Sequence, residues 1–103
     1  AAPKIFKEDT LIDWSMGVEA VHNHIRGLSP YPAAYTELQG KVLKIYKSHF
    51  ELANTGKEPG AYDTDGKTYL RFACNNGWLY ADEIQLQGKK RMNVEDFLRG
   101  FRG

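Results

Sequence analysis

A mainly β domain with flanking helices, its five antiparallel strands curled into a partly open barrel, is the fold this sequence predicts. Three observations predict it. From Ala34 onward, short β-prone runs alternate with turn chemistry at Gln39-Gly40, Asp65-Gly66 and Asn76-Gly77. Before them, Val18, Val21 and Ile25 recur at helical spacing. After them, Asn93 stands where a helix cap belongs, ahead of a short helical stretch.

Taken in order, Ala1 to Leu11 has no periodicity and is expected to be a linker or arm, leaving residues 12–103 as the domain. Ser15 offers a capping oxygen, and the apolar period predicts a helix from about Met16 to Arg26, with Gly27 as its left-handed stop. Ser29-Pro30-Tyr31-Pro32 cannot continue it, because each proline lacks an amide donor and holds its predecessor extended. The strands follow as AYTEL, KVLKIYKSHFEL, AYDT, KTYLRFAC and WLYADEIQL. In KTYLRFAC, strict alternation puts Leu70, Phe72 and Cys74 on a packed face and Lys67, Tyr69 and Arg71 on a solvated one. Asp65-Gly66 and Asn76-Gly77 readily adopt positive φ, so the runs they join should pair as hairpins. Val94 to about Phe101 forms the last helix, with Asp96 at its third position. Five short strands with one helix before and a shorter one after are economical in the manner of OB-like barrels.

At 103 residues and 42% hydrophobic, the chain is the size of one domain with a modest core. A net charge of +1 gives no strong long-range attraction, but the charge is polarised. Glu8, Asp9, Asp13 and Glu19 make the early chain acidic, whereas Lys89, Lys90, Arg91, Arg99 and Arg102 make its end basic. Cys74 is the single cysteine, so no internal disulfide forms, and a reducing, cytoplasmic setting is expected. No apolar run approaches a membrane span, and the first residues lack the order of a secretion signal. A start at Ala1 without Met is expected of a piece of a larger protein, or equally of a processed precursor.

Catalytic motifs fail one by one. GKKR is no phosphate loop, since Glu83 occupies the place of the first glycine and Lys90 that of the Ser or Thr. His22 and His24 are about 200° apart around a helix and cannot share a metal. AYDTDG imitates a calcium loop, but Ala61 stands for its first carboxylate and Phe72 for its closing Glu. Cys74 lies on the core face, and Asp82 and Glu83, adjacent in a strand, should point to opposite faces. Neither a catalytic residue nor a metal or cofactor site is therefore expected. What remains is cationic: strand alternation places Lys41 and Lys47 together and Lys44 opposite them. Tyr46, Tyr69, Trp78 and Tyr80 lie between cations, as in stacking surfaces for nucleic acid, although each alone reads more readily as a core or cross-strand residue.

The ordered set APKI, IDWS, IRGLSPYPAAYTEL, GKVLKIYKS and IQLQGKKRMNVEDFLRG resembles the C-terminal domain of methionyl-tRNA formyltransferase over essentially the whole chain. The resemblance implies an OB-like barrel that grips initiator methionyl-tRNA while a separate N-terminal domain, which holds the catalytic Asn, His and Asp, transfers a formyl group from 10-formyltetrahydrofolate. It implies Lys4, with Lys7 nearby, as linker cations, Lys89 and Lys90 as the pair after the strand, and Arg26 as the arginine ending the first helix. With Arg91 and the strand pair Lys41 and Lys47, these are the expected tRNA-binding residues. Arg26 also has a structural role open to it, since a cation at a helix C-terminus satisfies the dipole. Tyr31 and Tyr46 stand where that family often has Trp. The competing expectation is a domain that buttresses a formyltransferase-like enzyme acting on a small molecule, such as a nucleotide sugar.

Overall fold

The computed structural model describes residues 11–29 and 33–101. Helix α1 (Val18–Leu28) is followed by strands β1 (Ala34–Leu38), β2 (Lys41–Leu52), β3 (Tyr62–Thr64), β4 (Leu70–Cys74), β5 (Gly77–Leu86) and the two-residue β6 (Met92–Asn93), and then by helix α2 (Val94–Gly100). The strands form one antiparallel sheet in the order β1-β2-β5-β4-β3, with β6 beside the far end of β5. This is the mainly β, OB-like half-barrel that the patterning predicts, with β6 as an added sixth strand.

Strand alternation sends one face inward. Leu43, Ile45, Leu70, Phe72, Leu79 and Ile84 are almost fully buried there, and α1 closes the core with Val18, Val21 and Ile25. At roughly 1.5–3 kcal/mol for each large side chain removed from water, these positions supply most of the drive to fold. Leu70, Phe72 and Cys74 share the packed face as expected. Ile12 is in the core, and Trp14 stacks on Phe72 at 4.7 Å while its Nε1 donates to Thr36 Oγ1 at 2.9 Å. The IDWS segment therefore seals one side of the barrel.

Several local expectations are corrected. Helix α1 begins after Gly17 rather than at Met16; Gly17 stands at the cap position, and the Ser15 hydroxyl donates to Asp13 and caps nothing. The orphan amide of Val18 is satisfied instead by Asn76 Oδ1, 58 residues away, at 2.8 Å. Gly27 lies inside the helix, which ends at Leu28 with Ser29 extended (φ −80°, ψ 142°), as the residue before a proline should be. The β4–β5 hairpin turns through Asn75-Asn76, with Cys74 opposite Gly77. Gly77 does not have the positive φ expected of it. It is glycine for room: a Cβ there would sit 2.3 Å from the Glu51 carbonyl oxygen and 2.9 Å from Val18 Cγ1.

Asp65-Gly66 does begin the β3–β4 connection, with Gly66 at φ +78°, but pairing resumes only at Leu70. The Asp65 carboxylate fills the gap by accepting from the amides of Lys67, Thr68 and Tyr69. Toward the end of the chain, the Asn93 side chain accepts from the Asp96 amide and caps α2 as expected.

Candidate nucleic-acid interface

The face of the sheet turned away from α1 carries the cations and aromatics. Its arrangement depends on an irregularity in the β2–β5 ladder, where Ile45 pairs Ile84, Lys47 pairs Glu83 and Ser48 pairs Ala81. Tyr46 and Asp82 are the extra residues, and each reverses the alternation of its strand. Lys47 consequently leaves the face of Leu43 and Ile45 and joins Lys44 and Tyr46 outside, which corrects the expected grouping of Lys41 with Lys47. Asp82 and Glu83 for the same reason both avoid the core, each half-buried, rather than pointing to opposite faces.

Around the irregularity the side chains interlock. Arg91 lies 4.1 Å over the Tyr46 ring and donates to Glu83 Oε1 at 2.8 Å. Its hydrogen bond holds the Glu83 carboxyl below the usual range, and Glu83 in turn raises Arg91. The Tyr46 hydroxyl donates to Gln85 Oε1, and Gln85 Nε2 donates to the Lys89 carbonyl at 2.9 Å. The turn Gly88-Lys89-Lys90 is thereby tied to the outer face, with Gly88 at φ +85°. Lys44, Gln85 and Gly88 line one shallow depression beside it. Among the described residues, Lys44, Lys47, Lys89 and Lys90 have no carboxylate partner within salt-bridge distance, in contrast to Arg91.

The other half of this face is a closed network. Arg71 sits 3.9 Å over the Trp78 ring, contacts Asp63 at 2.7 Å and donates to the Tyr80 hydroxyl. Burial weighs against its charge, but the bonds to Asp63 and Tyr80 outweigh it and raise its pKa. His49 stacks on Tyr80 at 4.5 Å and meets Asp82 at 2.7 Å. Trp78, Tyr69 and Tyr80 are thus engaged in cross-strand contacts. His22 meets Ser48 Oγ, and burial lowers its pKa. Among the described residues, no group of three His, Cys, Asp or Glu side chains is placed to hold a metal, and no helix is long and apolar enough to cross a membrane.

The profile described as formyl transferase, C-terminal domain, matches residues 4–102. The chain belongs to that family. It is 51% identical, over 98% of its length, to a methionyl-tRNA formyltransferase of Phocaeicola vulgatus, and covers 33% of that protein. To methionyl-tRNA formyltransferases of Parabacteroides distasonis and Clostridium novyi it is 47% and 44% identical, over 98% and 96% of its length and 33% and 32% of theirs. The chain spans about a third of the length of these curated relatives. It shares its fold with HypX from Aquifex aeolicus, solved in complex with tetrahydrofolic acid, at a TM-score of 0.68 and 17% identity, over 96% of this chain and 19% of that one.

In this formyl transferase C-terminal domain, the expected binding residues separate into groups. Lys89, Lys90 and Arg91 stand at one end of β5, near Lys44 and Lys47, while Lys41 and Lys89 line a common cleft beside α2. Arg26 lies apart at the end of α1, where it bonds Asn23. Lys4, Lys7 and Tyr31 lie outside the described residues. Sequence reasoning missed Lys44, because ideal alternation set it against Lys47, and nothing local marked the irregularity that unites them.

Proposed function

We propose that this chain is the tRNA-binding domain of a methionyl-tRNA formyltransferase. It positions initiator methionyl-tRNA for formyl transfer from 10-formyltetrahydrofolate by a separate N-terminal domain, in the cytoplasm. The observation that carries this reading is the identity of about half to methionyl-tRNA formyltransferases along nearly the whole chain. The cations of the Gly88–Lys90 turn and the outer face, without a salt-bridge partner among the described residues, support it, since backbone affinity for RNA is largely counterion release. Lys89 and Lys90, with Lys44 and Lys47, meet phosphates. Arg91, its charge answered by Glu83, stiffens the turn by stacking on Tyr46. Alone, the domain should transfer no formyl group, since the catalytic Asn, His and Asp that the resemblance implies belong to the N-terminal domain; Cys74 is buried, its thiol pushed up to about 12, and is no substitute nucleophile.

Filter or fluorescence titration with initiator tRNA tests the reading. The slope of log affinity against log salt should be about −2 to −4, corresponding to three or four phosphate contacts. Lys89→Ala with Lys90→Ala should flatten it by about 1–2 and weaken all tRNAs alike, as phosphate contacts carry no sequence information. Binding that is insensitive to salt, or unchanged in the double variant, would overturn the proposal.

A further inference from the structure

A cleft of about 280 Å³ opens between the β1–β2 turn, the end of β5 and α2. Its floor and back are apolar: Leu38, Leu86, Met92, Phe97 and Phe101. The two phenylalanine rings stack at 5.0 Å, and Tyr62 meets Phe101 edge-on at 6.3 Å, so the aromatic wall is braced from behind. Phe97 is buried, whereas Phe101 and Met92 are only partly covered and offer surface to an occupant. The rim is polar and mainly cationic. Lys41 and Lys89 stand on it, and Gln39 is held there by the hairpin turn, where Gln39 and Gly40 both have positive φ. The Gln39 carboxamide also donates to the Tyr62 hydroxyl at 3.3 Å. Asp96 is the acidic residue of the lining, and Arg99 pairs with it at 3.3 Å.

We propose that this cleft receives one unpaired nucleotide of a bound RNA, with its base against Phe101 and Met92 and its phosphate at Lys41 and Lys89. The chemistry is matched at each part. A flat aromatic surface takes any base by stacking, commonly about 1–3 kcal/mol per base in single-strand binders. A carboxamide can meet a base edge as donor and acceptor together, and two lysines answer one phosphate. The volume is near the lower bound of ligand-sized clefts, about 300 Å³, and suits one nucleotide better than a helix or a larger cofactor. Single-stranded ends and loops are where proteins find splayed bases in RNA, because a duplex keeps its bases stacked. The inference rests on the RNA-binding reading above and adds to it a place where a base, and not only backbone, is held.

The test is a titration of the isotope-labelled chain, followed at the Met92 methyl group and the Phe101 ring, with three probes: a single-stranded RNA tetranucleotide, a blunt RNA duplex and a free mononucleotide. The tetranucleotide should shift both signals saturably, the duplex should leave them in place, and the mononucleotide should bind at least tenfold more weakly than the tetranucleotide. Lys41→Ala should weaken the tetranucleotide about fivefold, and Gln39→Ala should alter the preference among bases at unchanged fold, checked by the amide spectrum. Tetranucleotide or tRNA binding that leaves Met92 and Phe101 unmoved would overturn the inference while the broader reading survives. Equal affinity for mononucleotide and tetranucleotide would assign the cleft to free nucleotides and overturn its RNA source. Absence of tRNA binding together with a shift by the tetranucleotide would instead sink the tRNA reading and keep the cleft.

Discussion

The two ends of strand β5 share one ladder with β2 and yet are built on opposite plans. At the Gly77 end every group is committed: the glycine has no room for a Cβ beside the Glu51 carbonyl, its partner Cys74 is buried, and the neighbouring Asn76 caps a helix from across the domain. At the Gly88 end the chain turns outward, and Lys89 and Lys90 are exposed, without a salt-bridge partner among the described residues. Polar and small residues thus mean different things at the two ends. Where neighbours crowd, they serve stability; where water surrounds them, they add little to it, because exposed charges contribute little to folding.

Substitutions can break this contrast, beginning with the largest expected effect. Gly77→Ala should destabilise the domain by about 3 kcal/mol in a urea titration, since a backbone oxygen cannot yield as a side chain could. A wild-type midpoint would mean that the close approach relaxes freely. The thiol of Cys74 comes next, raised from 9.0 to about 12 by burial. Its folded-state pKa lies above the unfolded one, so the stability it contributes is complete below pH 9 and is lost as pH rises toward 12. The loss should reach about 1 kcal/mol near pH 10. Unfolding free energies of wild type and Cys74→Ala from urea titrations, measured from about pH 8 to about pH 10, should converge by that amount. Asn76→Ala removes the cap on Val18 and should cost about 1 kcal/mol, visible as a lower melting temperature. At the far end, Lys89→Ala with Lys90→Ala should move stability by no more than about 0.5 kcal/mol. A marked drop in melting temperature would show the turn to be structural and erase the contrast.

Part of the candidate interface is legible in the sequence, for identifiable reasons. The Gly-Lys-Lys turn announces itself because three cations in a row after a β pattern have few structural uses. The Lys44–Tyr46–Lys47 surface is illegible there, because one extra residue in each of two strands reverses every alternation beyond it. That insertion is defined only by a pairing between distant residues, such as Lys47 with Glu83. The cleft beside α2 is illegible too, since Gln39, Lys41, Lys89 and Phe101 come from three separate stretches of chain.

By itself the sequence determined the two helices, five of the six strands and their order, the core face of β4, the cap of α2 and the likeness to the formyl transferase C-terminal domain. Each of these is written in local periodicity, in turn chemistry or in motifs whose order survives without contacts. Only the tertiary structure decided where α1 begins, why residue 77 is glycine and which lysines share a face. An asparagine 58 residues away supplies the cap, a carbonyl on a neighbouring strand leaves no room for a Cβ, and a paired irregularity turns Lys47 outward. All three are consequences of approach between distant segments, and approach is set by how the core packs, which no local pattern encodes.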